Sequence, residues 1–167
     1  MLTDTAASLP IIMITGNHEY NTKDNWNLFT QSFEMYGLDK LFFTGLTLGS
    51  TYLINFDPFD LLYSKSSDSD DIFNGVNDLL KKTKDNGQFV IPISHYPLVC
   101  SGSSSFCTKC RTDMKDYWMA MLDNGVSLYI GAHYHTYQRI YPYYPNDTFS
   151  YEKGDYYSNK GYLVSVV

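Results

Sequence analysis

The chain has 167 residues, of which 44% are apolar and 18% are charged, and its formal net charge is −6 at pH 7. Such a composition is typical of a globular domain with its own hydrophobic core, and it excludes a disordered tail, a collagen-like fibre and a coiled coil. Its apolar runs are far shorter than the ~20 residues of a membrane-spanning helix, so no membrane span is expected. The densest basic cluster contains only Lys81, Lys82 and Lys84, which argues against nucleic acid as a partner.

The first part of the sequence carries strand and helix patterns in alternation. A short apolar run before a glycine predicts a buried strand, and aromatic residues at helical spacing predict a helix. Two β-rich runs on either side of Gly49-Ser50 predict a hairpin. In chain order the predicted elements are a strand at residues 11–14 that ends at Gly16, a helix at 23–36 capped by Gly37, and hairpin strands at 41–48 and 51–56.

The remaining elements continue this alternation. A polar loop at residues 64–71 ends in aspartates that can cap a helix, whose apolar face is formed by Ile72, Val76, Leu79 and Leu80. After that helix the sequence predicts a strand at 89–93, a loop with the cysteines, a helix marked by Met114, Trp118, Met121 and Leu122, a strand at 126–130, an extended loop or ribbon at 141–157 and a last strand at 162–167. Strands that alternate with helices indicate a layered α/β fold, and residues 1–167 are expected to form one domain because no linker is visible.

Three cysteines, Cys100, Cys107 and Cys110, lie close together in the sequence. A CxxC pair with no second pair and no histidine beside it is a poor zinc site, so a local disulfide is expected, with the third thiol free or paired elsewhere. Asn146 begins an N-glycosylation sequon, which also agrees with a secreted protein. The first residues contain no base before Lys23 and no apolar stretch of signal-peptide length, and one explanation is that the natural chain begins further upstream.

All four histidines directly follow predicted buried strands: His18, His95, His133 and His135. Loops at the carboxyl ends of strands converge on one edge of an open α/β sheet, where ligands bind in such folds. A single histidine in such a position is usually structural, but four equivalent placements indicate a shared cavity. Neutral imidazole is the commonest protein ligand for zinc, iron and manganese, so the histidines predict a metal site.

Three short motifs that contain these histidines resemble the purple acid phosphatases, a branch of the calcineurin-like metallophosphoesterases. The motifs are Gly16-Asn17-His18-Glu19, Ser94-His95 and His133-Tyr134-His135. They correspond in order to the G-N-H-E, V-x-x-H and G-H-x-H blocks of that family, with Pro92 in place of the Val and Ala132 in place of the Gly. Its D-x-G and G-D-x-x-Y blocks do not precede Gly16. The resemblance therefore implies part of a catalytic domain, a layered metallophosphoesterase β-sandwich flanked by helices, whose N-terminal strands and motifs are missing.

Carried onto the matching positions, the resemblance implies a dinuclear metal centre that clamps a phosphoryl group. Asn17, His95 and His133 would bind the second metal, which is a divalent zinc, manganese or iron ion. His135 would bind the first metal, which is ferric iron in that family. Since the other ligands of the family belong to the two blocks that are not found, this chain on its own is expected to keep at most one divalent ion.

The resemblance also implies roles around the substrate. His18 would lie beside the phosphate as the catalytic residue that binds it and protonates the leaving group, which suits an imidazole that titrates near neutral pH. Tyr134 would line the mouth of the substrate site. Glu19 is expected to orient a neighbouring group rather than to bind metal.

These features predict acid phosphatase-type hydrolysis of small phosphate monoesters, while the chain by itself is expected to be an inactive fragment. The resemblance places such an enzyme outside the cell or in a lysosomal or vacuolar lumen. Two alternatives stay open: a non-catalytic truncated remnant that binds at most one divalent ion, and a metallophosphoesterase that acts on phosphodiesters. A tyrosine-rich interaction module without metal would leave the placement of the histidines unexplained.

Overall fold

The computed structural model describes residue 12 and residues 14–34, 43–64, 68–101, 105–144, 148–149 and 163–166. In chain order its helices are α1 (Lys23–Glu34), α2 (Asp68–Asp85), α3 (Ser105–Asp113) and α4 (Lys115–Asp123). Its strands are β1 (Phe43–Leu48), β2 (Thr51–Phe56), β3 (Phe89–Ile93), β4 (Leu128–Ile130), β5 (Arg139–Tyr144), β6 (Thr148–Phe149) and β7 (Leu163–Val166). A π-helical turn (Asp60–Ser64) follows β2. Among the helices of these ranges, none is long and apolar enough to cross a membrane.

The strands of the described ranges form one seven-stranded mixed sheet in the order β1-β2-β3-β4-β7-β5-β6. Strands β2, β3, β4 and β7 are parallel neighbours, and β1, β5 and β6 extend the sheet through antiparallel pairs. Because parallel strands end at the same edge, the segments that follow β2, β3 and β4 lie beside one another. The expected mixed α/β class, with helices beside the sheet, is confirmed.

The core lies between the sheet and the helices α2 and α4, which also pack against each other. As predicted, α2 buries Ile72, Val76 and Leu80, and Leu79 packs partly buried against the same core. These residues recur every three or four positions, so they share one face of the helix. Trp118 of the predicted helix α4 is also buried in this core.

The predicted hairpin forms from β1 and β2, with Leu48 paired to Thr51 across the turn. Gly49 in the turn has a φ of +62°, a backbone conformation that glycine adopts without steric cost. Strand β3 spans the predicted residues, and β7 lies within the predicted last strand. The antiparallel pairing of β5 and β6 agrees with the predicted ribbon.

Several predicted boundaries were wrong. Of residues 11–14, the structure describes 12 and 14, and neither lies in a strand. Helix α2 begins at Asp68, inside the predicted loop, because carboxylates in a first turn favour the helix dipole. Strand β4 begins at Leu128 rather than at residue 126, since the N–H of Val126 donates to the carbonyl of Met121 and closes helix α4 instead.

The cysteine segment was also predicted wrongly, because residues 105–113 form helix α3 instead of a loop. The buried residues of this helix are Cys107 and Cys110, and the others are mostly small or polar. Some expectations lie outside the described residues: the helix end at 35–37, hairpin residues 41–42, the ribbon at 151–157 and the sequon at Asn146.

Removal of a buried leucine from α2 should destabilise the domain. Leu80 is fully buried, whereas Leu28 on α1 is 64% exposed. We expect Leu80→Ala to lower the free energy of unfolding by about 2–5 kcal/mol, because it removes buried methyl groups and leaves a cavity. The matched control Leu28→Ala should change this free energy by less than about 0.5 kcal/mol. Urea denaturation measures both, and equal losses would contradict the place of α2 in the core.

Candidate metal centre

Three side chains that are distant in the sequence meet at the carboxyl edge of β3 and β4. The amide oxygen Oδ1 of Asn17 lies 2.9 Å from Nε2 of His95 and 3.2 Å from Nδ1 of His133. The two ring nitrogens are 3.1 Å apart. The three atoms thus form a nearly equilateral triangle, and these partly buried residues are called the triad below.

Backbone pairing beyond the ends of β3 and β4 holds His95 next to His133. The N–H of Ser94 donates to the carbonyl of Ile130, and the N–H of Ala132 donates to the carbonyl of His95, both at 3.1 Å. The parallel pairing therefore continues past the last strand residues. His133 has a φ of 72°, a left-handed conformation that is rare outside glycine and that clusters at functional sites.

The loop of residues 16–19 carries Asn17 to the triad. Glu19 closes this loop, since its carboxylate accepts a hydrogen bond of 2.7 Å from the N–H of Gly16. Gly16 lies against the imidazole of His95, and a Cβ at this position would lie 3.0 Å from three atoms of that ring. The missing side chain therefore allows the loop to approach His95 closely.

The surroundings keep the triad imidazoles neutral. Burial, followed by the positive charge that His133 can carry, lowers the pKa of His95 to about 4. Burial, followed by the nearby His135 and His18, lowers the pKa of His133. A metal binds the neutral form of histidine, so these lowered pKa values favour the form of both rings that can act as a ligand.

The other residues expected at the site lie around the triad. His18 is exposed, and its Nδ1 lies 3.0 Å from the amide nitrogen of Asn21. Because that amide nitrogen donates, Nδ1 accepts, and the proton of the neutral ring is on Nε2. His135 is exposed in a bend after β4, so it does not share a strand face with His133. Tyr134 is partly buried, with its ring centroid 5.7 Å from that of His133.

Helix α3 places an aromatic ring against the triad. The ring of Phe106 lies 4.3 Å from the imidazole of His133, measured between centroids. The next residue, Cys107, forms a disulfide with Cys100, which ties α3 to the segment that follows β3. The expected local disulfide is thus present in the structure. Cys110 is free and buried, and burial raises its pKa to about 12, so its thiol is not nucleophilic.

The sequence interpretation gave no role to two polar residues beside the site. Asp57 accepts hydrogen bonds from the hydroxyls of Thr15 and Tyr20, which stand on either side of the 16–19 loop. Gln138 accepts hydrogen bonds from the N–H and the hydroxyl of Ser101, at 2.8 and 3.0 Å. A sequence signal for Asp57 was available, because it comes just after β2, as His95 and His133 come just after β3 and β4.

The donor atoms of the triad suit a divalent cation. Ligands at about 2.0–2.1 Å from zinc lie about 3–3.4 Å from one another, depending on the coordination geometry. Two edges of the triangle, at 3.1 and 3.2 Å, fall in this range, and the third, at 2.9 Å, lies just below it. Within the described ranges no three His, Cys, Asp or Glu side chains are placed so that they could hold a metal ion together. The third donor here is therefore the amide oxygen of Asn17.

The family model for calcineurin-like phosphoesterases matches residues 2–137, which include the whole triad. The chain belongs to the calcineurin-like phosphoesterase family. This membership confirms the recognition made from the three histidine motifs. Proteins of the family hydrolyse phosphoesters and generally use divalent metals.

Two relatives of this calcineurin-like phosphoesterase are named acid phosphatase type 7. The chain is 26% identical to the protein of Homo sapiens and 27% identical to that of Mus musculus, in alignments that cover 100% of this chain and 41% of each relative. It therefore spans about two fifths of the length of these relatives. A solved structure, GAP50, the anchor in the inner membrane complex of Plasmodium, matches with a TM-score of 0.47 and 19% identity over 75% of this chain and 35% of that one.

The lowered pKa of His95 predicts that stability of the metal-free chain depends on pH. Histidine in an unfolded chain takes up a proton near pH 6.5, whereas folded His95 stays neutral down to about pH 4. Unfolding in this range therefore takes up a proton, and the free energy of unfolding falls as the pH is lowered from about 6.5 to about 4.

His95→Gln removes this contribution, so the variant should lose less stability than the parent between about pH 7 and about pH 5. Urea denaturation of both proteins in EDTA measures the difference. All other titrating groups are common to the two proteins, so an identical pH dependence would contradict the prediction.

Proposed function

We propose that this chain carries part of the catalytic centre of an acid phosphatase-type hydrolase of phosphate monoesters. The triangle formed by Asn17 Oδ1, His95 Nε2 and His133 Nδ1 is the observation that carries the proposal. According to this proposal, the triad holds one divalent cation, which is zinc, manganese or iron. The names of the similar proteins, acid phosphatase type 7, support the choice of monoesters.

His135 is the proposed ligand of the first metal, ferric iron, in a dinuclear centre whose second metal is the divalent cation of the triad. It follows the triad residue His133 by two positions, and it is close enough to lower the pKa of that residue. Its side chain is exposed, which leaves the imidazole accessible to a metal and to further ligands. We assign no further ligand of that metal to this chain.

The proposed role of His18 follows from its hydrogen bond. Asn21 donates to Nδ1 and thereby leaves the Nε2–H free to donate to a phosphate oxygen. His18 also lies near enough to the triad to lower the pKa of His95 and of His133. Through this Nε2–H it can hold a phosphate oxygen beside the cation site, and when the ring carries protons on both nitrogens it can deliver one to the leaving oxygen. A bound divalent cation supplies the complementary effect, polarisation of a phosphate oxygen.

The disulfide supports an oxidising compartment for this activity. Cys100 and Cys107 are joined in the structure, and such bonds persist mainly in secreted and lumenal proteins. We therefore place the protein outside the cell or in a lysosomal or vacuolar lumen. Asn146 would then be open to glycosylation.

Substitution within the triad should weaken metal binding. We expect Asn17→Ala and His95→Ala each to lower the affinity for Zn²⁺ at least about tenfold, because each removes one of the ligands. Asn74→Ala, on the exposed face of α2, is the matched control and should leave the affinity unchanged. Isothermal titration with Zn²⁺ measures these affinities. Equal affinity for Zn²⁺ in all of these proteins would show that the triad residues are not ligands of the metal.

Activity separates the proposed function from its alternatives. For a protein that carries this segment together with the remaining ligands of the first metal, we expect reconstitution with iron and zinc to give faster turnover of 4-nitrophenyl phosphate than of bis(4-nitrophenyl) phosphate. For an alkyl phosphate, whose alkoxide leaving group needs a proton, His18→Asn should lower kcat by about 100-fold or more, because proton delivery by a side chain contributes that order of magnitude. Faster turnover of the diester would instead indicate a phosphodiesterase. Retention of zinc without any turnover by that protein would indicate a non-catalytic remnant.

A further inference from the structure

Asp57 is a buried carboxylate at the carboxyl end of β2, with only 2% of its surface exposed. Its Oδ2 accepts hydrogen bonds from the hydroxyl of Thr15 and, at 2.6 Å, from that of Tyr20. Its Oδ1 accepts one from the N–H of Phe59 at 2.9 Å. Both oxygens are therefore engaged by donors, and both side-chain donors come from one distant segment of the chain.

The two hydroxyl donors stand on either side of the 16–19 loop. Thr15 directly precedes Gly16, and Tyr20 directly follows Glu19. One carboxylate thus holds both ends of the loop that presents the amide of Asn17 to His95 and His133. Since the loop has only four residues, fixing both ends leaves it little freedom to move.

The ring of Tyr20 is itself held by stacking. Its centroid lies 3.8 Å from that of Phe59 and 4.6 Å from that of Trp26, with interplanar angles of 6° and 20°. The Tyr20 hydroxyl is therefore aimed at Asp57 by a ring packed on both sides. This arrangement extends the support of the loop from β2 to the first turn of α1.

The geometry points to Asp57 as a positioning residue for the metal site, which keeps Asn17 Oδ1 at ligating distance from His95 and His133. This inference rests on the proposed cation site. Asp57 acts through Thr15 and Tyr20 and does not touch the cation or the substrate. Residues outside the ligand sphere that orient ligands typically change metal affinity about 10–100-fold when they are replaced.

Zinc affinity tests this role against a merely structural one. We expect Asp57→Asn, Thr15→Val and Tyr20→Phe each to weaken Zn²⁺ binding, with the loss for Asp57→Asn about 10–100-fold. Thr83→Val is the matched control, because Thr83 is also buried and donates its hydroxyl to the carbonyl of Leu80 in α2. Thr83→Val removes the same kind of buried hydroxyl as Thr15→Val. It should lower the free energy of unfolding measured in urea and leave the zinc affinity within about twofold of that of the parent protein.

A double variant shows whether Asp57 acts through Asn17. When Asn17 is already replaced by Ala, there is no amide oxygen to position, so Asp57→Asn should cause no further loss of affinity. A full additional loss in this background would overturn the inference. If Asp57→Asn does not fold, Thr15→Val and Tyr20→Phe decide the question, since each keeps the carboxylate and removes one hydroxyl.

The outcomes distinguish this inference from the proposed function. If Asn17→Ala and His95→Ala weaken zinc binding but the Asp57, Thr15 and Tyr20 variants bind like the parent, the positioning role is overturned and the metal site stands. If the parent chain does not bind zinc, or the triad variants bind like the parent, the proposed site fails and the role of Asp57 fails with it.

Discussion

Strands β3 and β4 pair in parallel through Ile93 and Ile130, and the hydrogen bond from Ala132 to His95 continues that pairing into the segments that follow. Residues 95 and 133 are thereby fixed side by side by the backbone. Asn17 comes from a loop outside the sheet, so it depends on side chains for the same precision. Glu19 and Asp57 provide that support through their hydrogen bonds to the segment around Asn17. The two histidines are positioned by the backbone, whereas Asn17 needs these polar side chains.

The elements that the sequence predicted well are those whose pattern follows directly from burial. Helix α2 shows its core face as Ile72, Val76 and Leu80, and it folds with that face inside. The convergence of His95 and His133 was also predictable, because loops after parallel strands share one edge of a sheet. Asn17 reaches them from a loop that follows no strand of the described residues. The exposure of His135 was not, since spacing along a strand carries no information once the chain bends after β4.

Two features could not be predicted because they depend on tertiary contacts. Helix α3 begins in a serine-rich segment without a strong apolar face, and its buried residues are the disulfide-bonded Cys107 and the free Cys110. Asp57 is buried, whereas aspartate is a residue type that usually lies at the protein surface. Its burial requires donors from Tyr20 and Thr15, which lie 37 and 42 residues away in the sequence. Burial raises the pKa of this carboxyl, and the hydrogen bonds from Thr15 and Tyr20 oppose that shift.

The triad also has a topological consequence. Its members are separated by 78 residues between Asn17 and His95 and by 38 residues between His95 and His133. A cation bound at the proposed site would join three distant segments and act as a cross-link that closes two long loops. The Cys100–Cys107 disulfide joins residues only 7 apart in the sequence, but it persists when the chain unfolds. The cation would instead join distant segments only in the folded chain, so its contribution to stability would depend on its concentration and affinity.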